Sequence, residues 1–151
     1  MDVSIIIINY NTEQLVLNCI NSIYQKTTKL NFEIIVVDND SEQFNLLQND
    51  NRIKFIKSSS NLGFGKANNL AAKYAQGRYL FFLNPDTILL NNAIELLYNF
   101  MESPNSQNVG ICGGNLYNEQ LQPSHSYRIL FPGIIYELFF LTKGFPFKFF
   151  I

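Results

Sequence analysis

YLFFLNPDTILL, residues 79–90, runs through five aromatic and aliphatic side chains and then stops on Asn84, Pro85, Asp86 and Thr87 before turning apolar again. Such a run suits a buried strand, and the arrest on an amide, a proline and a carboxylate marks where the chain leaves the sheet. The same form occurs twice more. Ser4-Ile5-Ile6-Ile7-Ile8 ends in Asn9-Tyr10-Asn11, and Phe32-Glu33-Ile34-Ile35-Val36-Val37 ends in Asp38-Asn39-Asp40. All three runs are short, β-branched or aromatic and mostly unalternating, as expected of strands covered on both faces of a parallel sheet. Helix-like segments separate them, so the order reads as βαβ units and the fold class as α/β with a mainly parallel sheet.

The first helix is expected from an N-cap at Asn11, with Gln14 as capping-box partner, to about Lys26; Val16, Cys19, Ile20 and Ile23 form its apolar face. A second is expected from Lys66 to a stop at Gly77, and a third through Ile94, Leu97, Tyr98 and Met101, ending before Pro104. Arg52 to Ile56 alternates enough for a strand, Val109 to Cys112 is a weaker strand candidate, and Tyr117 to Gln120 suits a turn.

With 151 residues, 47% hydrophobic and 15% charged, the chain can bury the core of one globular domain. A net charge of −1 with scattered basic residues supplies no field for phosphate backbones, which excludes nucleic acid as the expected partner. Cys19 and Cys112 stand alone in apolar segments without metal-ligand spacing, so buried free thiols of a reducing compartment are expected. Only Met1 to Val3 precede the first apolar run, with no basic stretch or cleavage pattern, and a cytoplasmic location without a secretory signal is expected.

The final segment, ILFPGIIYELFFLTKGFPFKFFI, is apolar and aromatic, but Pro132, Glu137, Lys143 and Pro146 interrupt it, so it does not read as a clean membrane span. The expected division is a ligand-binding domain over 1–128 and an apolar segment over 129–151. That segment is expected to pack on the core, on a partner chain as a homodimer, or peripherally on a membrane surface.

In an open parallel sheet, ligands collect beyond the carboxyl ends of the strands, so the three polar endings should face one site. Asp86 leaves one strand end while Asp38 and Asp40 leave another. Separated carboxylates with a neutral amide suit a hard divalent ion, Mg²⁺ or Mn²⁺, shared with substrate phosphates. The same acids also suit turn and helix-cap positions, and composition alone does not choose. Asn61-Leu62-Gly63-Phe64-Gly65-Lys66-Ala67-Asn68-Asn69 follows a strand candidate and opens a helix, so its glycines allow close backbone approach to an anion. It falls one glycine short of a dinucleotide fingerprint, and Ala67 after Lys66 breaks a phosphate-loop ending.

Taken together, IIIINYN, IIVVDNDS, NLGFGKANN and LFFLNPDT resemble, in order and spacing, the amino-terminal half of a family 2 glycosyltransferase of GT-A fold, most closely the rhamnosyltransferase-type branch. GGNLYNEQLQPSHSYRILFP resembles the segment that follows the nucleotide site in that branch, so the likeness covers nearly the whole chain.

The resemblance implies a sugar nucleotide held at the first two strand ends. Tyr10 would lie on the base with Asn11 beside it, and Asp38 would hydrogen-bond base or ribose. Asn39, Asp40 and Ser41 match the polar residues that follow, and Gly63, Gly65 and Asn68 match positions lining the nucleotide and diphosphate. Asn84-Pro85-Asp86 occupies the place of the family's Asp-X-Asp metal motif, with Asn84 replacing the first acid and Asp86 remaining as metal ligand.

The implied reaction is inverting transfer of a sugar from a nucleoside diphosphate sugar to a saccharide or glycolipid acceptor, in cell-surface polysaccharide synthesis at the inner face of the membrane. No acid matches the family's general base, which the resemblance puts beyond Ile151; Glu119, Glu137 and His125 read as structural or surface residues. Two rivals stand beside this reading. A nucleotidyltransferase would need a glycine-rich basic loop after the first strand, which NYNTEQL is not; a non-catalytic sugar-nucleotide-binding or assembly subunit would need no base.

Overall fold

The computed structural model describes residues 1–124. Four strands, β1 (Val3–Asn9), β2 (Phe32–Asp38), β3 (Lys54–Lys57) and β4 (Tyr79–Leu83), form one wholly parallel sheet in the order β3-β2-β1-β4. The connections carry α1 (Glu13–Lys26), α2 (Asn45–Gln48) and α3 (Phe64–Ala72), and α4 (Ala93–Met101) follows β4.

Every residue of β1 is buried, which explains why Ile5 to Ile8 form an unbroken apolar run rather than an alternating one. Val3, Ile5 and Ile7 pack with Ile34 and Val36 against α1, Leu47 of α2 and Ile94 of α4. Ile6 and Ile8 pack with Ile35 and Val37 against Ala67 and Ala71 of α3, whose small side chains let that helix lie close to the sheet. Each fully buried isoleucine contributes about 2 kcal/mol of transfer free energy. Glu95, at the start of α4, accepts hydrogen bonds from Thr28 N (2.6 Å) and Lys29 N (2.7 Å) and ties that helix to the α1–β2 connection.

The strand order creates the feature that matters for function. From β1 the chain steps outward to β2 and β3, then returns over α3 to the far side of β1 for β4. The helix after β1 covers one face of the sheet and the helix before β4 covers the other, so a crevice opens at the carboxyl edge between these strands.

Several boundaries differ from expectation. Thr12, not Asn11, precedes α1; Asn11 has a φ of 56° and Gln14 bonds Asn18, so no capping box forms. Helix α3 ends at Ala72 and not at Gly77, which lies against the sheet: a Cβ there would lie 2.3 Å from Ser4 N. The alternating strand expected from Arg52 is shifted to Lys54–Lys57, and Val109 to Cys112 form no strand. Among the described residues β4 packs on one face, through Tyr79, Phe81 and Leu83, with Leu80 and Phe82 exposed on the other. Cys19 is buried as expected, whereas Cys112 is half-buried; both are free.

The compact unit built on this sheet ends at Gly114. Beyond it, β5 (Leu116–Tyr117) and β6 (Pro123–Ser124) pair antiparallel around the expected turn, where Asn118 Oδ1 accepts from Gln120 N and Gln122 N. The apolar segment 129–151, with His125 and Glu137, lies outside the described residues. No helix among the described residues is long and apolar enough to cross a membrane.

Candidate functional site

A cleft of about 420 Å³ opens at the carboxyl edge of the sheet. Ile8 and Tyr10 of the β1 end, with Thr12 just before α1 and Leu15 in its first turn, form one side; Asn39, Asn61, Gly63 and Phe64 form another; Asn84, Pro85 and Asp86 complete it. It is lined by residues from three strand ends, as the repeated form of the apolar runs predicts.

Beneath the first two strand ends lies a closed polar network. Asn9 and Asp38 are register partners on β1 and β2. Asn9 Nδ2 donates to Asp38 Oδ1 (2.7 Å) and Ser41 Oγ (3.1 Å), while Asn9 Oδ1 accepts from Thr12 N and Thr12 Oγ1 (both 3.1 Å). Asp38 Oδ2 accepts from Ser41 N at 3.2 Å, and Ser41 Oγ accepts from Asn11 N at 2.9 Å. All four hydrogen-bonding positions of the buried Asn9 amide are used, so only an amide satisfies this site. The network holds two residues at positive φ, Asn11 at 56° and Asp40 at 72°, a conformation that Asn and Asp tolerate better than most side chains.

A second network joins the β2 end to the loop before α3. Asn39 Nδ2 donates to Asn61 Oδ1 (2.9 Å) and Asn39 Oδ1 accepts from Leu62 N (2.8 Å). Asn61 Oδ1 also accepts from Gly63 N (2.9 Å). Gly63 stands at φ 76° and ψ 161°, a region open essentially to glycine alone.

The third element is the turn after β4. Thr87 N donates to Asn84 O at 3.2 Å across Pro85 and Asp86, with proline at the position that favours its fixed φ. The Cys19 thiol donates to the same carbonyl at 3.9 Å from below. Burial, and then the Asp86 carboxylate, push the Cys19 thiol up to about 12, so it is a neutral support and not a nucleophile. Asp86 is exposed and is the one carboxylate lining the cleft among the described residues.

Of the expected site residues, Tyr10, Asn39, Gly63, Asn84 and Asp86 line the cleft, and Tyr10 is half exposed there. Asp38 does not; it is fully buried and engaged by Asn9 and Ser41. Asn11 and Asp40 are exposed beside the network, Gly65 lies on the open first turn of α3, and Asn68 is turned back to donate to Phe64 O at 3.0 Å. The sequence reading passed over Thr12, Leu15, Phe64 and Asn61 as lining residues, and the hub role of Asn9. That role had no signal in the local sequence, because it depends on the register of β1 against β2.

The donor set is one carboxylate, Asp86, beside the Asn84 amide, with no group of three or more His, Cys, Asp or Glu side chains among the described residues. These residues fit Mg²⁺ or Mn²⁺, which take oxygen ligands and are commonly held by one or two carboxylates while substrate phosphates and water complete the shell.

Comparison with known proteins agrees with this geometry. The model of the family described as Glycosyl transferase family 2 matches residues 4–150. A UDP-Glc:alpha-D-GlcNAc-diphosphoundecaprenol beta-1,3-glucosyltransferase, WfgD of Escherichia coli, is 38% identical over 103 residues, covering 66% of this chain and 40% of that protein. The Poly(ribitol-phosphate) beta-glucosyltransferase of Bacillus spizizenii is 31% identical over 114 residues, covering 70% of this chain and 18% of that protein. Among solved structures, S. aureus TarS 1-349 in complex with UDP-GlcNAc superimposes with a TM-score of 0.59 at 28% identity, covering 68% of this chain and 31% of that one. The chain thus spans less than half the length of these relatives. The parallel α/β sheet with its cleft at the strand ends is the GT-A arrangement, and the chain belongs to glycosyltransferase family 2.

Proposed function

We propose that the cleft binds a nucleoside diphosphate sugar, with UDP the first nucleotide to test, and that the chain serves transfer of that sugar to a saccharide or lipid-linked acceptor in cell-surface polysaccharide synthesis at the inner face of the membrane. The observation that carries the reading is the convergence on one cleft of the exposed Tyr10 ring, the Gly63 loop and the Asp86 turn. The UDP-sugar and diphosphoundecaprenol in the relatives' names support the choice of donor and acceptor class.

In this reading Tyr10 offers an apolar face to the base, and the exposed first turn of α3 offers uncapped backbone N–H groups to the diphosphate. Asp38, through Asn9 and Ser41, holds the base-binding strand ends in place. Asp86, with Asn84 beside it, would hold a divalent ion, which when bound would offset charge on the departing diphosphate.

The acceptor hydroxyl oxygen forms a bond to the anomeric carbon as the bond from that carbon to the diphosphate oxygen breaks; the hydroxyl proton passes to a base and the nucleoside diphosphate leaves. A single displacement of this kind inverts the anomeric centre. With Asp86 assigned to the metal, no other carboxylate among the described residues lines the cleft to serve as that base. A binding-only subunit is the second reading, favoured by that lone cleft carboxylate.

The test is thermal stabilisation by nucleoside diphosphates and their sugars with and without Mn²⁺, followed by a donor-hydrolysis and transfer assay. A ligand at one hundred times its dissociation constant adds about 2.7 kcal/mol, which a melting curve resolves. Stabilisation by none of them contradicts the donor site; stabilisation without turnover leaves the binding-only reading in possession.

A further inference from the structure

The geometry points to Asn39 and Asn61 as a two-residue amide clamp that positions the first turn of α3 for the donor's diphosphate, an inference that rests on the donor-binding reading above. Asn39 is 3% exposed and sits at the end of β2, a strand paired on both sides, so it is a fixed point. Its amide spends one donor on Asn61 Oδ1 and its oxygen on Leu62 N. Asn61 Oδ1 then takes a second hydrogen bond from Gly63 N, two residues along, which closes the loop on itself.

Three consecutive loop residues are thereby pinned to the sheet just before the chain enters α3. Gly63 needs this restraint: at φ 76° and ψ 161° it occupies a region that a free glycine populates among many others. The next residues, Phe64 to Lys66, open a helix with no side-chain cap, and their amide directions are set by the Gly63 dihedrals. Asn39, Asn61, Gly63 and Phe64 all line the cleft, so the clamp and the turn it holds face the same space. Neither asparagine needs to touch the ligand. They are positioning residues, and Asn61, exposed and outside every helix and strand, has no packing role to confuse the test.

The experiment compares Asn61→Ala, Asn39→Leu and the double variant in the full chain. Affinity for UDP is measured by calorimetry with Mn²⁺, and affinity for uridine, which lacks the diphosphate, by NMR titration. Each single substitution is expected to weaken UDP about tenfold, the double variant no more than either alone because the two side chains act as one unit. Uridine affinity is expected to change less than about twofold, within the usual additivity error. Should Asn39→Leu fail to fold, Asn61→Ala decides alone. Unchanged UDP affinity in Asn61→Ala overturns the clamp, as does an equal loss for uridine, which would mark general support of the fold. Failure of the unmodified chain to bind UDP is seen without any variant and overturns the clamp together with the donor reading.

Discussion

Gly65→Ala is expected to strengthen the fold and weaken the site, and the two effects can be worked from the same position. Gly65 lies in the first turn of α3 with ordinary helical backbone, and a Cβ built there meets nothing within 4 Å. Nothing among the described residues therefore opposes the methyl. The unfolded chain loses freedom and the helix gains propensity, together about 0.5–1 kcal/mol of stabilisation.

Gly77 supplies the internal contrast, since its Cβ would fall 2.3 Å from Ser4 N and 2.5 Å from Val3 C. Ser4 is paired to both β2 and β4, so the central strand cannot retreat, and the α3–β4 loop must move out by about 1 Å to reach normal contact. That movement strains the Gly77 N to Ser4 Oγ hydrogen bond of 2.8 Å. Overpacking of this kind costs about 1–3 kcal/mol and the hydrogen bond about 1 kcal/mol. Urea unfolding followed by circular dichroism should put Gly65→Ala above and Gly77→Ala below the unmodified chain in midpoint. Calorimetry on Gly65→Ala should nevertheless show weaker UDP binding, because the added methyl occupies the approach to the α3 amides. A Gly65→Ala chain that is more stable and binds UDP as before would refute the placement of the diphosphate on that turn.

Asp38→Ala strands the Asn9 Nδ2 donor and the Ser41 N–H at a fully buried point, so it should lower stability by about 2–3 kcal/mol and weaken UDP binding equally with and without Mn²⁺; an effect confined to the metal-containing arm would contradict its structural role. In the folded protein Cys112 should react with a disulfide reagent at pH 8 and Cys19 should not. At a pKa of about 12 only about one Cys19 thiol in ten thousand is ionised at that pH, and both thiols should titrate in urea. Glu95 is held below its ordinary value of 4.5 by the Lys29 and Thr28 backbone N–H groups, so its contribution is present above that pH and is lost as pH falls through the depressed folded value. Glu95→Gln should flatten the acid limb of the stability profile below about pH 4.5, and an unchanged limb would remove Glu95 from that account.

What was legible in the sequence followed from burial. β1 and β2 are covered on both faces, and their unbroken Ile and Val runs could be read with boundaries correct to a residue. The four-residue α2 offered no period to read, and β3, with exposed ends, was displaced by two residues at its start. The boundary errors at α1 and α3 share one cause, in that a residue suited to a local cap was recruited by a distant part of the chain. Asn11 is bound to Ser41 and Glu42 rather than capping α1, and Gly77 accommodates β1 rather than ending α3.

The site divides in the same way. Tyr10 and Asp86 lie in short turns directly after strands, so their place at the cleft follows from topology alone. Asp38 is the last residue of its strand and not the first of a turn, and the burial of its carboxylate in the Asn9–Ser41 network could not be read from the sequence. The hub role of Asn9 depends on the β1–β2 register, a long-range fact that no local pattern contains.

The central claim, that Asp86 holds a metal against the diphosphate of a bound nucleotide, is tested most directly by calorimetric titration of UDP into the unmodified chain and into Asp86→Ala, each with and without Mn²⁺. Asp86 is exposed and bonded to no other side chain among the described residues, so its removal leaves the fold intact. The account predicts that Mn²⁺ tightens UDP binding to the unmodified chain and that Asp86→Ala loses this enhancement while keeping the metal-independent affinity. An equal Mn²⁺ enhancement in both proteins would contradict it.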